Sequence, residues 1–182
     1  CVLLGNMQAV GPDEQTYSAT PQTLSAKLAF SEVAATGGGC SLGDISAAFL
    51  NAPLPEEDQV CITLPEAFGG GQKLLVKSLY GLRAAPLLWQ KHLHKYLVSD
   101  GWRASLKDSC AYTKKVAGRW LKLIVYVDDV LVWGGTQFQC DSEVDKILAR
   151  FKGKRQKPVV NGSVREWTWL AAQYRVDDAT HT

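Results

Sequence analysis

Two adjacent carboxylates, Asp128 and Asp129, interrupt the most apolar segment of the chain, LIVYVDDVLVWG. Neighbouring negative charges repel each other, and burial removes water from each of them, so both acids need a cation nearby. A bound divalent metal ion is one physical solution. The alternative is the tip of a hairpin, where an Asp side chain accepts hydrogen bonds from backbone N–H groups. The spacing of the two acids leaves both interpretations open.

Asp44 is a third candidate ligand, because it ends a predicted strand in GCSLGDIS and small residues follow it. Oxygen donors at strand ends, with no His or Cys beside them in the sequence, favour Mg²⁺ or Mn²⁺ over Zn²⁺. Eighty-four residues separate Asp44 from Asp128, so their spacing does not establish that they meet.

The apolar pattern predicts the elements that position these acids. RWLKLIVYV and VLVWGG are β-rich runs on either side of the acid pair, and they predict a hairpin with the acids at its tip. Ahead of Asp44, the sequence predicts a helix with Thr20 as its N-cap and Pro21 in its first position. The glycines at 37–39 end that helix.

Two further helices and a final pair of strands complete the predicted order. One helix lies in AAPLLWQKHLHKYLVSDGW and the next in DSEVDKILARF, with Asp141 or Ser142 as its N-cap. Asn161-Gly162 predicts a turn between two strands. The order strand, helix, hairpin, helix, strand predicts an α+β fold: a ferredoxin-like antiparallel sheet with helices on one face.

Composition limits the class of protein. The chain has 182 residues, 46% of them hydrophobic and 21% charged, which is typical of one globular domain. No apolar run approaches the roughly 18 residues of a membrane-spanning helix. The five cysteines form no C-x-x-C pair, which favours reduced thiols inside a cell. The absence of an initiating Met and of a secretory leader predicts a fragment of a longer polyprotein.

Charge is unevenly distributed along the chain. Residues 1–66 carry one Lys or Arg against eight acids, whereas residues 67–122 carry eleven against two. Such separation suggests a basic surface along which the phosphate backbone of a nucleic acid could bind. An ordinary solvated surface is the alternative interpretation.

Five motifs then follow one another in a characteristic order: GDISAAFLNAPLPEE, LPEAFGG, LVKSLYGLRAAPLLWQKHL, DSCAYTKK and LIVYVDDVLVWG. Together they resemble the reverse transcriptase domain of copia-type long-terminal-repeat retrotransposon polyproteins. The resemblance runs from VLLGN near the N-terminus to about Leu170. It implies a polymerase palm formed by the ferredoxin-like sheet, with a partial, N-terminally truncated fingers region, within a single domain at 1–182. No RNase H, integrase or protease signature accompanies it.

The resemblance implies RNA-directed and DNA-directed DNA synthesis, in which a dNTP is joined to a primer 3′-hydroxyl with two Mg²⁺ ions, or Mn²⁺ in their place. Asp44, Asp128 and Asp129 would be the catalytic acids. The same three carboxylates and the backbone carbonyl of Ile45 would bind the metal ions, and Ile45 would also be part of the nucleotide site. Phe49 lies five residues after Asp44, where the family has an aromatic gate against the ribose 2′-hydroxyl. A core aromatic is the alternative for Phe49.

Further residues match the family's nucleotide, template and primer segments. Tyr80 and Gly81 resemble the turn at the nucleotide site, where Gly lets the backbone approach the substrate closely. Pro86 would begin the helix that supports the template. The residues expected at the primer are Tyr126, Trp169 and Leu170.

The resemblance also implies partners and a location. These partners are a primed RNA or DNA template, dNTPs and the other domains of the parent polyprotein, with no membrane. The implied location is intracellular, in the cytoplasm and in retrotransposon particles.

Two departures from the family pattern keep other functions open. Leu4 stands where the family carries a basic residue, and Ala171 stands where it has Gly. A decayed or co-opted copy that binds nucleic acid without catalysis is therefore one alternative. A second alternative is another palm-type metal enzyme, such as a nucleotide cyclase, which shares the sheet and the acids.

Overall fold

The computed structural model describes residues 18–182, and these residues form two compact units. Of the described residues, the first unit contains Ser18 and Ala47–Tyr96, and the second contains Ala19–Ser46 and Leu97–Thr182. Asp44 and the Asp128–Asp129 pair all belong to the second unit. The prediction about Leu4 lies outside the described residues.

Three α-helices and eleven β-strands make up the regular structure of residues 18–182 besides short 3₁₀ turns. The helices are α1 (Thr23–Thr36), α2 (Ala85–Ser99) and α3 (Gln137–Phe151). The strands are β1 (Cys40–Ile45), β2 (Cys61–Thr63), β3 (Gln72–Leu74), β4 (Arg103–Ala104), β5 (Ala111–Val116), β6 (Arg119–Tyr126), β7 (Asp129–Trp133), β8 (Gly153–Gln156), β9 (Val159–Asn161), β10 (Val164–Trp169) and β11 (Ala172–Asp177). Mixed α and β structure with an antiparallel sheet, as predicted, is thus confirmed.

The second unit is built on a six-stranded antiparallel sheet with the spatial order β4-β5-β6-β7-β1-β8. Strand β1 is interior, between β7 and β8, and nearly all of its residues are buried. A strand covered on both faces reads as a continuous apolar or small-residue run rather than an alternating one. This explains why CSLGDI stays buried until it reaches Asp44.

The prediction that the helices lie on one face of the sheet is wrong for α1 and α3. Leu42 of β1 and its partner Leu131 of β7 share one buried cluster with α1. The next residue, Gly43, points to the other face, where an added Cβ would come within 2.8 Å of Val144 and 3.2 Å of Leu148 in α3. The two helices therefore cover opposite faces, because both faces of β1 are apolar.

Helix α1 begins later than predicted. Its N-cap is Gln22 rather than Thr20, and no side chain of the cap residue closes the first turn. Instead, the carboxylate of Asp108 accepts hydrogen bonds from the Gln22 N–H at 3.4 Å and the Ser25 hydroxyl at 2.8 Å. A residue distant in sequence thus supplies the acceptor that a local Thr was expected to provide. The end is as predicted, with Gly37 in the left-handed conformation.

Helix α3 begins earlier than predicted, with Thr136 as N-cap instead of Asp141 or Ser142. The Thr136 hydroxyl accepts from the Gln139 N–H, and the Gln139 side chain accepts from the Thr136 N–H. This is a capping box, and the spacing Thr-x-x-Gln is its signature in the sequence.

A three-stranded antiparallel sheet with the order β11-β10-β9 packs against the α1 side of the second unit. The predicted turn between β9 and β10 is present, but Asn161 still pairs with Val164, so the turn residues are Gly162 and Ser163. Trp167 and Trp169 of β10 are buried in the cluster with α1.

The first unit contains the β2–β3 ribbon and a small apolar cluster of Leu54, Leu82 and Ala85. None of the helices among the described residues combines the length and the apolar character needed to cross a lipid bilayer.

Candidate active site

Strand register brings Asp44 and Asp129 together. Asp44 of β1 is the direct partner of Asp129 of β7, and Asp129 is in turn the partner of Tyr126 of β6. On its other side, Asp44 pairs with Lys154 of β8. Directly paired residues in antiparallel strands share a face and have Cβ atoms about 5 Å apart. Tyr126, Asp129, Asp44 and Lys154 therefore form one row across an end of the sheet.

Asp128 lies at the turn beside this row. Val127 and Asp128 form the two-residue connection between β6 and β7. The backbone N–H of Ile45, the residue after Asp44, donates a 2.8 Å hydrogen bond to the carbonyl of Asp128. This bond ties the end of β1 to the turn, so the three acids and Ile45 are brought to one place.

The turn is held in a strained conformation. Val127 has a φ of 52°, a left-handed conformation that β-branched residues rarely adopt. Such a residue costs on the order of 1–3 kcal/mol and persists where the surrounding structure enforces it. Here the β6–β7 ladder and the Ile45–Asp128 hydrogen bond enforce it. Strain of this kind is typical of functional sites.

The acids repel one another electrostatically. Burial raises the pKa of Asp129 to about 6, and the charges of Asp128 and Asp44 add to the rise. Burial also raises the pKa of Asp128, with a further contribution from Asp44, while the backbone N–H of Asp128 partly offsets it. Negative charge is thus concentrated here without full compensation, which favours binding of a cation.

The donor set fits a hard divalent cation. All three side chains offer carboxylate oxygens, the ligands that Mg²⁺ prefers, and their mutual repulsion would be relieved by a bound ion. Across residues 18–182, however, no three His, Cys, Asp or Glu side chains are grouped as a preformed metal cage. Mg²⁺ keeps several waters and takes substrate phosphates as ligands, so few protein ligands are needed.

A family model described as reverse transcriptase (RNA-dependent DNA polymerase) matches residues 1–161. The chain belongs to this reverse transcriptase family. The resemblance to copia-type retrotransposon polyproteins predicted from the motifs is confirmed by the relatives it matches.

Relatives of this reverse transcriptase chain are named as retrovirus-related Pol polyproteins from plant transposons. It is 33% identical over 121 residues to that of transposon TNT 1-94 of Nicotiana tabacum, and 29% identical over 119 residues to that of RE2 of Arabidopsis thaliana. Each match covers 63% of this chain and 8% of the relative. The chain therefore matches a small part of much longer proteins.

Of the residues expected at the nucleotide site of the reverse transcriptase, Phe49, Tyr80 and Gly81 lie in the first unit, whereas Ile45 lies in the second. Phe49 is half-buried in a 3₁₀ turn, Ala48–Asn51, and its ring contacts the ring of Tyr80 at a centroid distance of 4.8 Å. Gly81 has a φ of 98°, a conformation that glycine adopts without strain. Pro86 is the second residue of α2, close to its predicted position at the helix start.

One of the residues expected at the primer needs correction. Trp169 is only 1% exposed and is packed into the cluster with α1, so its side chain has no surface for a primer to contact. Leu170 is 38% exposed and forms the β10–β11 turn with Ala171. Both turn residues have positive φ, 50° and 58°, where Gly would fit without strain. Tyr126 is half-buried beside the same cluster.

Lys154 is the site residue that sequence reasoning missed. Lys154 lies in the basic run KGKRQKP, but the sequence does not show which residue of that run pairs with Asp44, because the pairing depends on the β1–β8 register. That register becomes visible only when the two strands are paired.

Proposed function

We propose that this chain is the polymerase domain of a copia-like retrotransposon, which copies RNA and DNA templates by joining dNTPs to a primer 3′-hydroxyl. The observation that carries the proposal is the direct pairing of Asp44 with Asp129, beside Asp128, in a chain of the reverse transcriptase family. Because the matched relatives are much longer, the proposal concerns this domain alone.

The strand order supports a polymerase palm. Strands β6-β7-β1-β8 with α2 after β1 and α3 after β7 follow the β-α-β-β-α-β order of a ferredoxin-like unit. We assign the strands and helices of this order to the palm, and residues 47–84 of the first unit to part of the fingers, within one domain at 1–182.

Four groups of the chain would hold two Mg²⁺ ions, or Mn²⁺ in their place: the carboxylates of Asp44, Asp128 and Asp129, and the carbonyl of Ile45. When bound, such a pair favours the deprotonated primer hydroxyl and neutralises charge on the triphosphate. The chain's own contribution is to hold these oxygens on strand ends before substrate arrives. The strained Val127 turn and the Ile45–Asp128 hydrogen bond supply that rigidity.

The remaining site residues bind and select substrate. Lys154 is exposed next to Asp44, so its ammonium would contact the triphosphate. Phe49 would lie under the sugar and exclude ribonucleotides, while Tyr80 and Gly81 would line the nucleotide site. Pro86 would support the template and Tyr126 and Leu170 would contact the primer.

We further propose that the partners are a primer–template and the other domains of the parent polyprotein. The reaction would take place inside the cell, in retrotransposon particles.

Primer extension on an RNA template with Mg²⁺ tests the proposal. The wild type should extend the primer, and Asp128→Asn should lower the rate at least about 100-fold. Loss of a metal ligand should reduce activity at least as much as loss of a residue that only orients a ligand. Asp58→Asn, an exposed acid of the first unit, is the matched control and should keep full activity. A wild type that fails to extend but binds primer–template in a salt-sensitive way would instead support the copy without catalysis. Turnover of free triphosphates without primer would support a cyclase.

A further inference from the structure

Phe49 and Tyr80 belong to different segments of the first unit, yet their rings touch. The ring centroids are 4.8 Å apart and the planes are tilted by 53°. Tilted aromatic pairs at this distance gain energy beyond the burial of their surface. We propose that Tyr80 is a positioning residue that holds the Phe49 ring in the orientation in which it selects deoxyribonucleotides. This inference rests on the proposed function, because it takes Phe49 as the gate.

The backbone fixes the two rings relative to each other. The Ser78 N–H donates to the Ala52 carbonyl at 2.9 Å, and the Leu54 N–H donates to the Val76 carbonyl at 3.1 Å. Between these bonds, residues 53 and 77 form an antiparallel bridge. The segment that carries Phe49 and the segment that carries Tyr80 are thus joined a few residues from each ring.

The orientation of the Phe49 ring depends on the side chains that pack against it. Its ring is half-buried and packs against the cluster of Leu54, Leu82 and Ala85. A partly exposed aromatic side chain can change rotamer unless packing blocks the alternatives. The apolar cluster and the Tyr80 ring both supply such packing.

A steric gate depends on small displacements. Discrimination between a sugar with and without one hydroxyl is a difference in transition-state free energy, so a ring that moves by a fraction of an ångström discriminates less. An aromatic pair of this kind corresponds to roughly a 2- to 12-fold effect on an equilibrium. We expect loss of the Tyr80 ring to lower sugar selectivity by a factor in that range.

Single-nucleotide primer extension with dNTP and with the matching rNTP tests the inference, with the ratio of the two kcat/KM values as the readout. Tyr80→Leu removes the ring, Tyr80→Met is a second ring-less variant, and Tyr80→Phe retains the ring. Leu88→Ala is the matched control, since Leu88 packs against the same cluster. Circular dichroism establishes that each variant is folded.

We expect Tyr80→Leu and Tyr80→Met to lower the selectivity ratio about 2- to 12-fold, and Tyr80→Phe to restore it. Leu88→Ala should lower the melting temperature and leave the ratio unchanged. In a Phe49→Ala background, Tyr80→Leu should lower the ratio no further, because Tyr80 acts through Phe49.

Three results would overturn the inference in an active wild type. They are an unchanged ratio in Tyr80→Leu, an equal loss in Tyr80→Phe, and a full additional loss in the Phe49→Ala background. The last would mean that Tyr80 reads the sugar itself. A wild type that extends no primer overturns the proposed function and this inference together.

Discussion

Two hairpin turns of the second unit share a backbone conformation but not a sequence. The β6–β7 turn is Val127-Asp128 and the β9–β10 turn is Gly162-Ser163; each has two residues, and only the first has positive φ, 52° and 61°. This pattern suits a type II′ turn, in which Gly is preferred at the first position. The β9–β10 turn has that residue, whereas the β6–β7 turn has a β-branched one.

The difference indicates that the β6–β7 turn is less favourable for folding than the β9–β10 turn. An added Cβ at Gly162 meets nothing within 4 Å, so the positive φ of the backbone, and not lack of space, favours glycine at this position. The Val127 turn instead carries strain and, beside it, three acids that repel one another. Local features that oppose folding at one place and not at its structural counterpart indicate a functional site.

Replacing the β6–β7 turn with the β9–β10 sequence should have the largest effect. The double variant Val127→Gly, Asp128→Ser should gain about 1–3 kcal/mol in free energy of unfolding by relief of strain. It should also lose at least about 100-fold in primer extension, because a metal ligand is gone. Chemical denaturation and extension assays on the same preparation measure both. A stable variant that retains activity would contradict the functional meaning of the comparison.

The reverse exchange isolates the strain. Gly162→Val should lower the free energy of unfolding by about 1–2 kcal/mol, since the side chain has space and only the left-handed backbone opposes it. Primer extension below the melting temperature should be unchanged. A Gly162→Val chain as stable as the wild type would show that Val127 is not strained for this reason.

Asp129→Asn should have a smaller, pH-dependent effect on the metal-free chain. The pKa of Asp129 is raised to about 6 by burial and by its acidic neighbours, so the ionised form destabilises the fold. This cost is absent below the unfolded pKa near 4 and complete above about 6. Because the carboxylate is partly exposed and screened by solvent, we expect Asp129→Asn to stabilise the chain at pH 7 by ~1 kcal/mol.

The same substitution should have no effect on stability below pH 4. Thermal denaturation in EDTA across pH 3.5–8 measures this, with Asp58→Asn as the exposed control. A stabilisation that is independent of pH would mean that Asp129 is not held near its neighbours' charges.

Periodicity and turn chemistry predicted the local elements well. The β6–β7 hairpin, the strand that ends near Asp44 and the helix in AAPLLWQKHLHKYLVS are all present, because each is encoded by residues close in sequence. The start of α3 was predicted wrongly, although the Thr-x-x-Gln spacing of its capping box at Thr136 is visible in the sequence.

Features set by distant residues were not predictable in this way. The start of α1 depends on Asp108, the side chain beside Asp44 depends on the register of β8, and the burial of Trp169 depends on α1. For the same reason, the partnership of Asp44 with Asp129 required the paired strands, although the motifs pointed to it.

Counting bound Mn²⁺ ions by electron paramagnetic resonance tests the central claim most directly. The sample is the chain with primer–template and a dNTP, compared with Asp44→Asn and Asp128→Asn. The account predicts two ions per chain in the wild type and fewer in each variant. Equal Mn²⁺ binding by all three chains would contradict the assignment of these acids as the metal site.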